Sequence, residues 1–365
     1  MKLTRLWLHD FRSYDSLNLE LHPGFTALIG SNGIGKTNIV EAISLLSTLK
    51  SFRGAPTESV IRRGATSAVI RAEGIRDGRE VLIELQLGGG KSRAQVNRQK
   101  LQRSKDLLGA LRVTVFGPDD LALIKEGPSI RRNYLDDLLV TLDPAADRLV
   151  SDMAKILKQR SALLRSSRGK LDESASVTLD VWDTKLADRG TLLTNKRQEL
   201  LDDLVGLTTS SFEVLAGQRT DIGLVYQRSW SQPTLIEALT EARDHDVKRS
   251  VTSVGPHRDD VILTIDGFAS RTQASQGEQR TLALALRLAG HRLITDRLGE
   301  PPLLLLDDVL SELDPHRAAR LFEHVPDGQT ILTSASELPP ETNPDRVLRL
   351  DAQLPPAEGE QRLTS

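Results

Sequence analysis

The sequence has no cysteine, few aromatic side chains and no long apolar run, and each absence removes a class of protein. Without cysteine there is no disulfide framework and no thiolate metal site, a composition that fits a reducing compartment without requiring one. No apolar stretch approaches the roughly 18 residues that mark a membrane helix. The opening MKLTRLWLHDFRSY is too polar for a signal peptide. A cytoplasmic chain with no membrane contact is expected. An excess of one charge is missing too: 48 Lys and Arg against 50 Asp and Glu leave a net charge of −2, so any attraction to nucleic acid must come from local patches. Aromatic residues reach only 4%, too few for the stacking platforms of sequence-blind single-strand binders.

Proline is absent between Pro144 and Pro233, and that gap marks a change of texture. Before it, short runs such as LWLHD, LNLELH, FTALIG, AVIRAEG, EVLIELQL and LRVTVF alternate with Gly, Asp and Pro and predict strands. One helix interrupts them, KTNIVEAISLLSTLK, with Ile39, Ile43, Leu46 and Leu49 on one face. Inside the gap the pattern is long, charged and helical, and after about residue 245 short strands and helices return in DVILTID, LLLLDD and GQTILTS. The length of 365 residues suggests about two domains. The reading is an α/β head built from residues 1–120 and 245–365, a mainly helical insert over 121–244 that forms an arm, and a loose tail at LPPAEGEQRLTS.

GSNGIGKT, comprising Gly30, Ser31, Asn32, Gly33, Ile34, Gly35, Lys36 and Thr37, matches the phosphate-binding loop pattern and lies between an apolar run and a helix. In such a loop the glycines turn backbone amides toward phosphate oxygens, the lysine reaches the β and γ phosphates, and the Thr hydroxyl serves Mg²⁺. The metal's acidic partner belongs at the end of a buried strand, which PPLLLLDDVLSELD supplies. Asp307 is the expected water-mediated ligand and Asp308 the group that orients the attacking water. Further on, Ser275 and Glu278 in SQGEQR fit a helix capping box. Gly277 fits it badly, because glycine costs about 1 kcal/mol against alanine within a helix.

In this order SQGEQR resembles the signature motif of ABC-type ATPases, SELD (311–314) their D-loop and ILTSAS (331–336) their switch segment. The wide helical insert resembles SMC-like chromosome proteins. LHDFRSY, KSFR, VFGPDDLALIKEGPSIRRNYLD, LKQRSALL and SVGPHRDD narrow the resemblance to the RecF family of bacterial recombination mediators. That resemblance implies an ABC-type head binding ATP and Mg²⁺, and a homodimer formed with ATP in which Ser275, Gln276 and Gly277 of one chain face the γ-phosphate held by the other. It also implies binding to double-stranded DNA and to duplex/single-strand junctions, cooperation with RecR, and help in loading recombinase onto gaps. Lys36, Ser275 and Asp308 are the catalytic candidates. Arg12 either lies beside the phosphates or is an ordinary surface arginine, and Asp314 either shapes the dimer interface or caps a helix before Pro315.

Three features depart from the ABC pattern. Asp308 replaces the usual glutamate, Thr333 and Ser334 stand where transporters carry histidine, and GPDD offers no evident Q-loop glutamine. A weak, DNA-stimulated ATPase that times a clamp is the expected activity. The alternatives are an ABC transporter nucleotide-binding subunit and a non-catalytic, ATP-gated DNA scaffold. His257 and Arg258 in GPHRDD lack metal-site spacing. Two basic clusters are candidates for DNA: Lys91, Arg93, Arg98, Lys100, Arg103 and Lys105, and, in the helical insert, Lys155, Lys158, Arg160, Arg165, Arg168 and Lys170.

Overall fold

The structure is a computed structural model that describes residues 1–350, so the tail read as loose lies outside the described residues. In the first third, β1 (Lys2–Phe11) and β2 (Tyr14–Glu20) form a hairpin, and β3 (Phe25–Ile29) leads through the glycine loop into α1 (Lys36–Thr48). After a short turn, α2 (Thr57–Val60), come β4 (Ser67–Arg76), β5 (Arg79–Gly88), β6 (Arg93–Val96), β7 (Gln99–Lys100) and β8 (Val113–Phe116). The middle holds α3 (Ala122–Lys125), α4 (Pro128–Leu142), α5 (Ala146–Ser166), the 44-residue α6 (Glu173–Ala216), β9 (Ile222–Gln227) and α7 (Leu235–Arg249). It ends with β10 (Asp260–Ile265), β11 (Phe268–Ala269) and α8 (Ser270–Gln273). The last part runs through α9 (Gln276–Leu298), β12 (Leu303–Asp307), α10 (Val309–Glu312), α11 (Pro315–Glu323), β13 (Thr330–Ser334) and β14 (Arg346–Arg349).

Two compact units result. The first comprises Met1–Leu121, Ser211–Gln218 and the described residues from Arg280 onward. It contains an antiparallel sheet, β2-β1-β4-β5-β6-β7, and a parallel sheet, β14-β3-β13-β12-β8. Its hairpins turn on Asp77-Gly78 and Asn97-Arg98, both residues of each pair at positive φ, the geometry that matches the right-handed strand twist. The sequence placed one apolar stripe on α1, but the structure buries the helix nearly all round. Ile39, Ile43 and Leu46 join one core with Leu3, Leu6 and Leu8 of β1 and with Leu303, Leu305 and Ile331 of the parallel sheet. A helix enclosed this way needs apolar residues on most sides, and its buried acid, Glu41, is paired with Arg12. β12 is buried at all five positions, as an inner parallel strand covered on both faces must be, which is why it reads LLLLD without alternation.

The second unit is Ala122–Ser210 with Arg219–Gln279, so the contact division falls at 279 rather than at the 245 read from the sequence. The reason is that β9 and β10 pair with each other and with β11 in a sheet of their own, while α7 shares a core with α5 and α6 through Leu235, Leu239, Met153 and Leu186. The unit also buries charge. Arg160, fully shielded from solvent, donates to Asp183 (2.7 Å), to Asp246 (2.8 Å) and to the Thr252 hydroxyl (2.9 Å). Arg160 therefore leaves the basic cluster proposed for DNA. It occupies the same stripe of α5 as Leu149, Met153, Ile156 and Leu164, a position where burial needs paired carboxylates.

In the first unit His291 of α9 is 1% exposed, and neither ring nitrogen has a partner among the described residues. Burial pushes its pKa from 6.5 down to about 4. As pH falls through 6.5 the unfolded imidazole takes a proton that the folded one refuses until about pH 4, so this group destabilises the fold across that window and is neutral above it. Urea titrations at pH 7 and pH 5 should show wild type losing about 2 kcal/mol more than His291→Leu; equal losses would mean that the ring titrates normally in the fold.

Candidate functional site

The site is built where parallel strands end together. Register places Ser334 opposite Ile29 and Asp307 opposite Thr333, so the carboxyl ends of β3, β13 and β12 lie side by side, the edge at which open α/β sheets take ligands. Gly30–Gly35 leaves β3 at that edge. Gly33 and Gly35 have φ of 83° and 109°, so the loop turns where a side chain would be strained. Gly35 has a second constraint, since a Cβ there would stand 2.7 Å from the Tyr14 hydroxyl. That hydroxyl has no partner among the described residues, and burial pushes its pKa up to about 12.

Lys36 opens α1 and is 7% exposed. Its ammonium donates to the carbonyls of Gly30 (2.6 Å) and Ser31 (2.9 Å), so two of its three donors pin it across the loop. Burial lowers its pKa, and the nearby carboxylates Asp308 and Asp307 oppose that shift. Thr37 donates its hydroxyl to Asp307 Oδ1 (3.0 Å), and Thr333 donates to the same oxygen (2.8 Å). Asp307 is 3% exposed. Burial raises its pKa, against the Thr333 and Thr37 hydrogen bonds and the Arg53 charge, with Asp308 adding to the rise. A Thr hydroxyl and a carboxylate meeting at a loop suit a hard, oxygen-seeking cation. No cluster of three or more His, Cys, Asp or Glu that could hold a metal occurs among the described residues.

Asp308 follows in the left-handed region at φ 51°, strained for a residue other than glycine, at the turn into α10. Its amide donates to the Thr333 hydroxyl (2.9 Å) and its carboxylate accepts from Ser311 (2.8 Å). Thr333, expected as a switch residue, is thus wholly buried and tied to the Asp307-Asp308 turn, while Ser334 donates to the carbonyl of Ser336. In GPDD, Asp120 accepts from the Gly117 amide (2.9 Å) and from Arg287 (2.5 Å), so it is engaged rather than offered as a metal ligand.

The Arg12 side chain is only 19% exposed. Its guanidinium makes a bidentate pair with Glu41 of α1 (2.6 and 2.8 Å) and donates to the carbonyl of Ser59 (2.9 Å). Glu41 is fully buried and also accepts from the Ser51 hydroxyl. One carboxylate on the loop's own helix therefore clamps both the Arg12 turn and the KSFR segment whose Arg53 acts on Asp307. Sequence reading missed Glu41, although an acid among the apolar positions of α1 was a usable signal.

The capping box forms as read. The Ser275 amide and hydroxyl both donate to Glu278 Oε2 (2.7 Å each), and the Glu278 amide donates back to Ser275 Oγ (3.3 Å). Gln276 and Gly277 open α9, whose start is held by Gln279 donating to the carbonyls of Ser270 and Arg271. Asp314 caps α11, accepting from the Arg317 amide (3.1 Å) and guanidinium (2.6 Å) ahead of Pro315. GPHRDD meets the paired arginines of α4: Arg131 makes a bidentate pair with Asp260 (2.8 and 3.0 Å), and Arg132 donates to the carbonyl of Asp259. His257, pushed down to about 4 by burial, contacts the carbonyl of Thr252. The motif is a structural hub of its unit.

The profile of the RecF/RecN/SMC N terminal domain matches residues 2–338. The DNA replication and repair protein RecF of Kineococcus radiotolerans is 41% identical over 363 residues, covering 92% of this chain and 93% of that protein. The RecF of Frankia alni is 42% identical over 354 residues, with 92% and 93% covered. Among solved structures, the recombination mediator protein RecF with ATP from the RecFOR pathway superposes with a TM-score of 0.87 at 30% identity, over 95% of each chain. An Smc head bound to the C-winged helix domain of ScpA gives 0.56 at 17% identity over 96% of this chain and 94% of that one, a likeness of fold alone.

Glu41→Gln tests the clamp. Leaving the Arg12 charge without its buried partner should cost about 3 kcal/mol in urea denaturation, and a variant as stable as wild type would show that Glu41 holds nothing in place.

Proposed function

Because this chain belongs to the RecF family, within the RecF/RecN/SMC group, we propose that it is an ATP-dependent DNA-binding protein of replication and repair, acting in the cytoplasm as a homodimer. One observation carries the reading: Lys36, Thr37, Asp307 and Asp308, remote in sequence, come together where β3 and β12 end. The RecF relative solved with ATP supports ATP as the ligand. Family membership sets aside the transporter-subunit alternative.

In this reading Gly30–Thr37 wraps the ATP phosphates, and the third donor of Lys36 turns to the β and γ oxygens. Thr37 and Asp307 would hold Mg²⁺, which would neutralise charge on those oxygens. Asp308 orients the water that attacks the γ-phosphorus. Its carboxylate is shorter than the usual glutamate, and Thr333 is occupied by Asp307, so hydrolysis is slow and serves as a timer. Ser275, Gln276 and Gly277 complete the partner's site in the dimer, with Asp314 near the interface. Cooperation with RecR, binding to duplex or junction DNA and recombinase loading rest on the family resemblance.

Light scattering with ATP and magnesium should give dimers for wild type and monomers for Lys36→Met and Ser275→Arg. Only Lys36→Met should also lose nucleotide affinity; normal dimerisation of Ser275→Arg would sink the shared site. Asp308→Asn keeps a residue type that tolerates positive φ, so it should fold, bind ATP, persist as a dimer and hydrolyse ATP about 100-fold more slowly. Unchanged turnover would remove Asp308 from catalysis and leave the scaffold reading.

A further inference from the structure

From Leu85 to Lys105 the chain carries Lys91, Arg93, Arg98, Lys100, Arg103 and Lys105 and no acid. The structure makes this segment the edge of the antiparallel sheet, β5-β6-β7. Lys91, Arg93, Arg98 and Lys100 are exposed, and none has an acidic partner among the described residues; Arg103 pairs with Asp106. Register extends the surface inward. Arg93 lies opposite Gln86, Gln86 opposite Val69, Val69 opposite His9 and His9 opposite Ser16, an outer-face row with no carboxylate. In the adjacent row Lys100 faces Gln95, and the one acid, Glu84, is neutralised by Arg71 at 2.6 Å. At about 4.8 Å per strand these rows span roughly 20 Å.

We propose that this edge is the surface that grips duplex DNA through its phosphates, a proposal that rests on the DNA-binding reading above. A protein partner would be expected to find an apolar centre, and no large hydrophobic side chain is exposed between Gly88 and Lys105. Bases need stacking partners, and no aromatic residue occurs from Arg79 to Val115. What remains is cations beside the amides of Gln86, Gln95, Asn97 and Gln99, a composition that contacts backbone without reading sequence. Gly88, Gly89 and Gly90 all have positive φ, and a Cβ on Gly89 or Gly90 would meet nothing within 4 Å. Their positive φ accounts for glycine at both positions, and the open space above them leaves room for another molecule's backbone to approach. The rival cluster in the insert is weaker, since Arg160 is buried and Lys155 lies 3.5 Å from Asp152.

The test is fluorescence anisotropy with a mixed-sequence duplex, ATP and magnesium, from about 50 to 200 mM salt. Lys91, Arg93, Arg98 and Lys100 all changed to Gln should weaken binding at least about tenfold and flatten the slope of log K against log salt by about 2 or more. Nucleotide affinity and thermal midpoint should stay at wild-type values. The matched variant with Lys158, Arg165, Arg168 and Lys170 changed to Gln should stay within about twofold of wild type on the same scale. If the first variant fails to fold, Arg93→Gln with Lys100→Gln should give about half the slope change. Wild-type affinity and slope in the hairpin variants, or an equal loss in the insert variant, overturns the assignment while leaving DNA binding intact. Failure of wild type to bind duplex at all overturns the DNA-binding reading itself.

Discussion

A single carboxylate oxygen, Oδ1 of Asp307, accepts hydrogen bonds from the hydroxyls of Thr37 and Thr333. That junction fixes the relation between the glycine loop, the strand carrying the acids and the strand beyond them. The Thr333 oxygen that donates to Asp307 also accepts from the Asp308 amide, so one hydroxyl sets both acids. The resulting turn holds Asp308 at positive φ, a strain of order 1–3 kcal/mol that the buried parallel sheet has to over-determine. Four consecutive leucines, buried on both faces of the sheet, supply the rigidity that does so.

Glu41 extends the same order outward. Being fully buried, it must be paired, and its partners come from two loops rather than from its own helix. The helix whose N-terminus holds Lys36 therefore also holds the Arg12 turn and the segment leading to Arg53. The helix that begins at Lys36 and the loops carrying these cations are thereby joined through one carboxylate.

What could be read in the sequence was local. The glycine loop, the leucine strand ending in two acids, the Ser275 capping box and the Asp314 cap all depend on residues within a few positions of each other, where spacing carries the chemistry. Pairings across the fold could not be read so easily. Arg131 and Asp260 are far apart in the chain, and nothing in either motif names the other. β10 looked like a return to the head because a strand's pattern records burial, not which sheet it joins, and it pairs with β9 of the insert. Arg160 was legible in principle. It falls on the buried stripe of Leu149, Met153, Ile156 and Leu164, although its charge groups it with the basic cluster offered for DNA.

The capping box and the role proposed for Ser275 in the partner's site compete for one hydroxyl. In the isolated chain the Ser275 hydroxyl donates to Glu278, so it cannot at the same time donate to a phosphate. The box survives the exchange in part, because the Ser275 amide keeps its own bond to the same carboxylate oxygen and the Glu278 amide still needs Ser275 Oγ only as an acceptor. What is lost is one exposed hydrogen bond, a fraction of the roughly 1 kcal/mol a whole cap contributes. A hydrogen bond to a charged phosphate returns about 1.5–3 kcal/mol. In the proposed dimer Gly277 would add to the balance, for a helix start without a side chain would let a phosphate approach the first turn and the positive end of the 23-residue α9. In the proposed dimer, an anion at this N-terminus would offset what the glycine costs the helix.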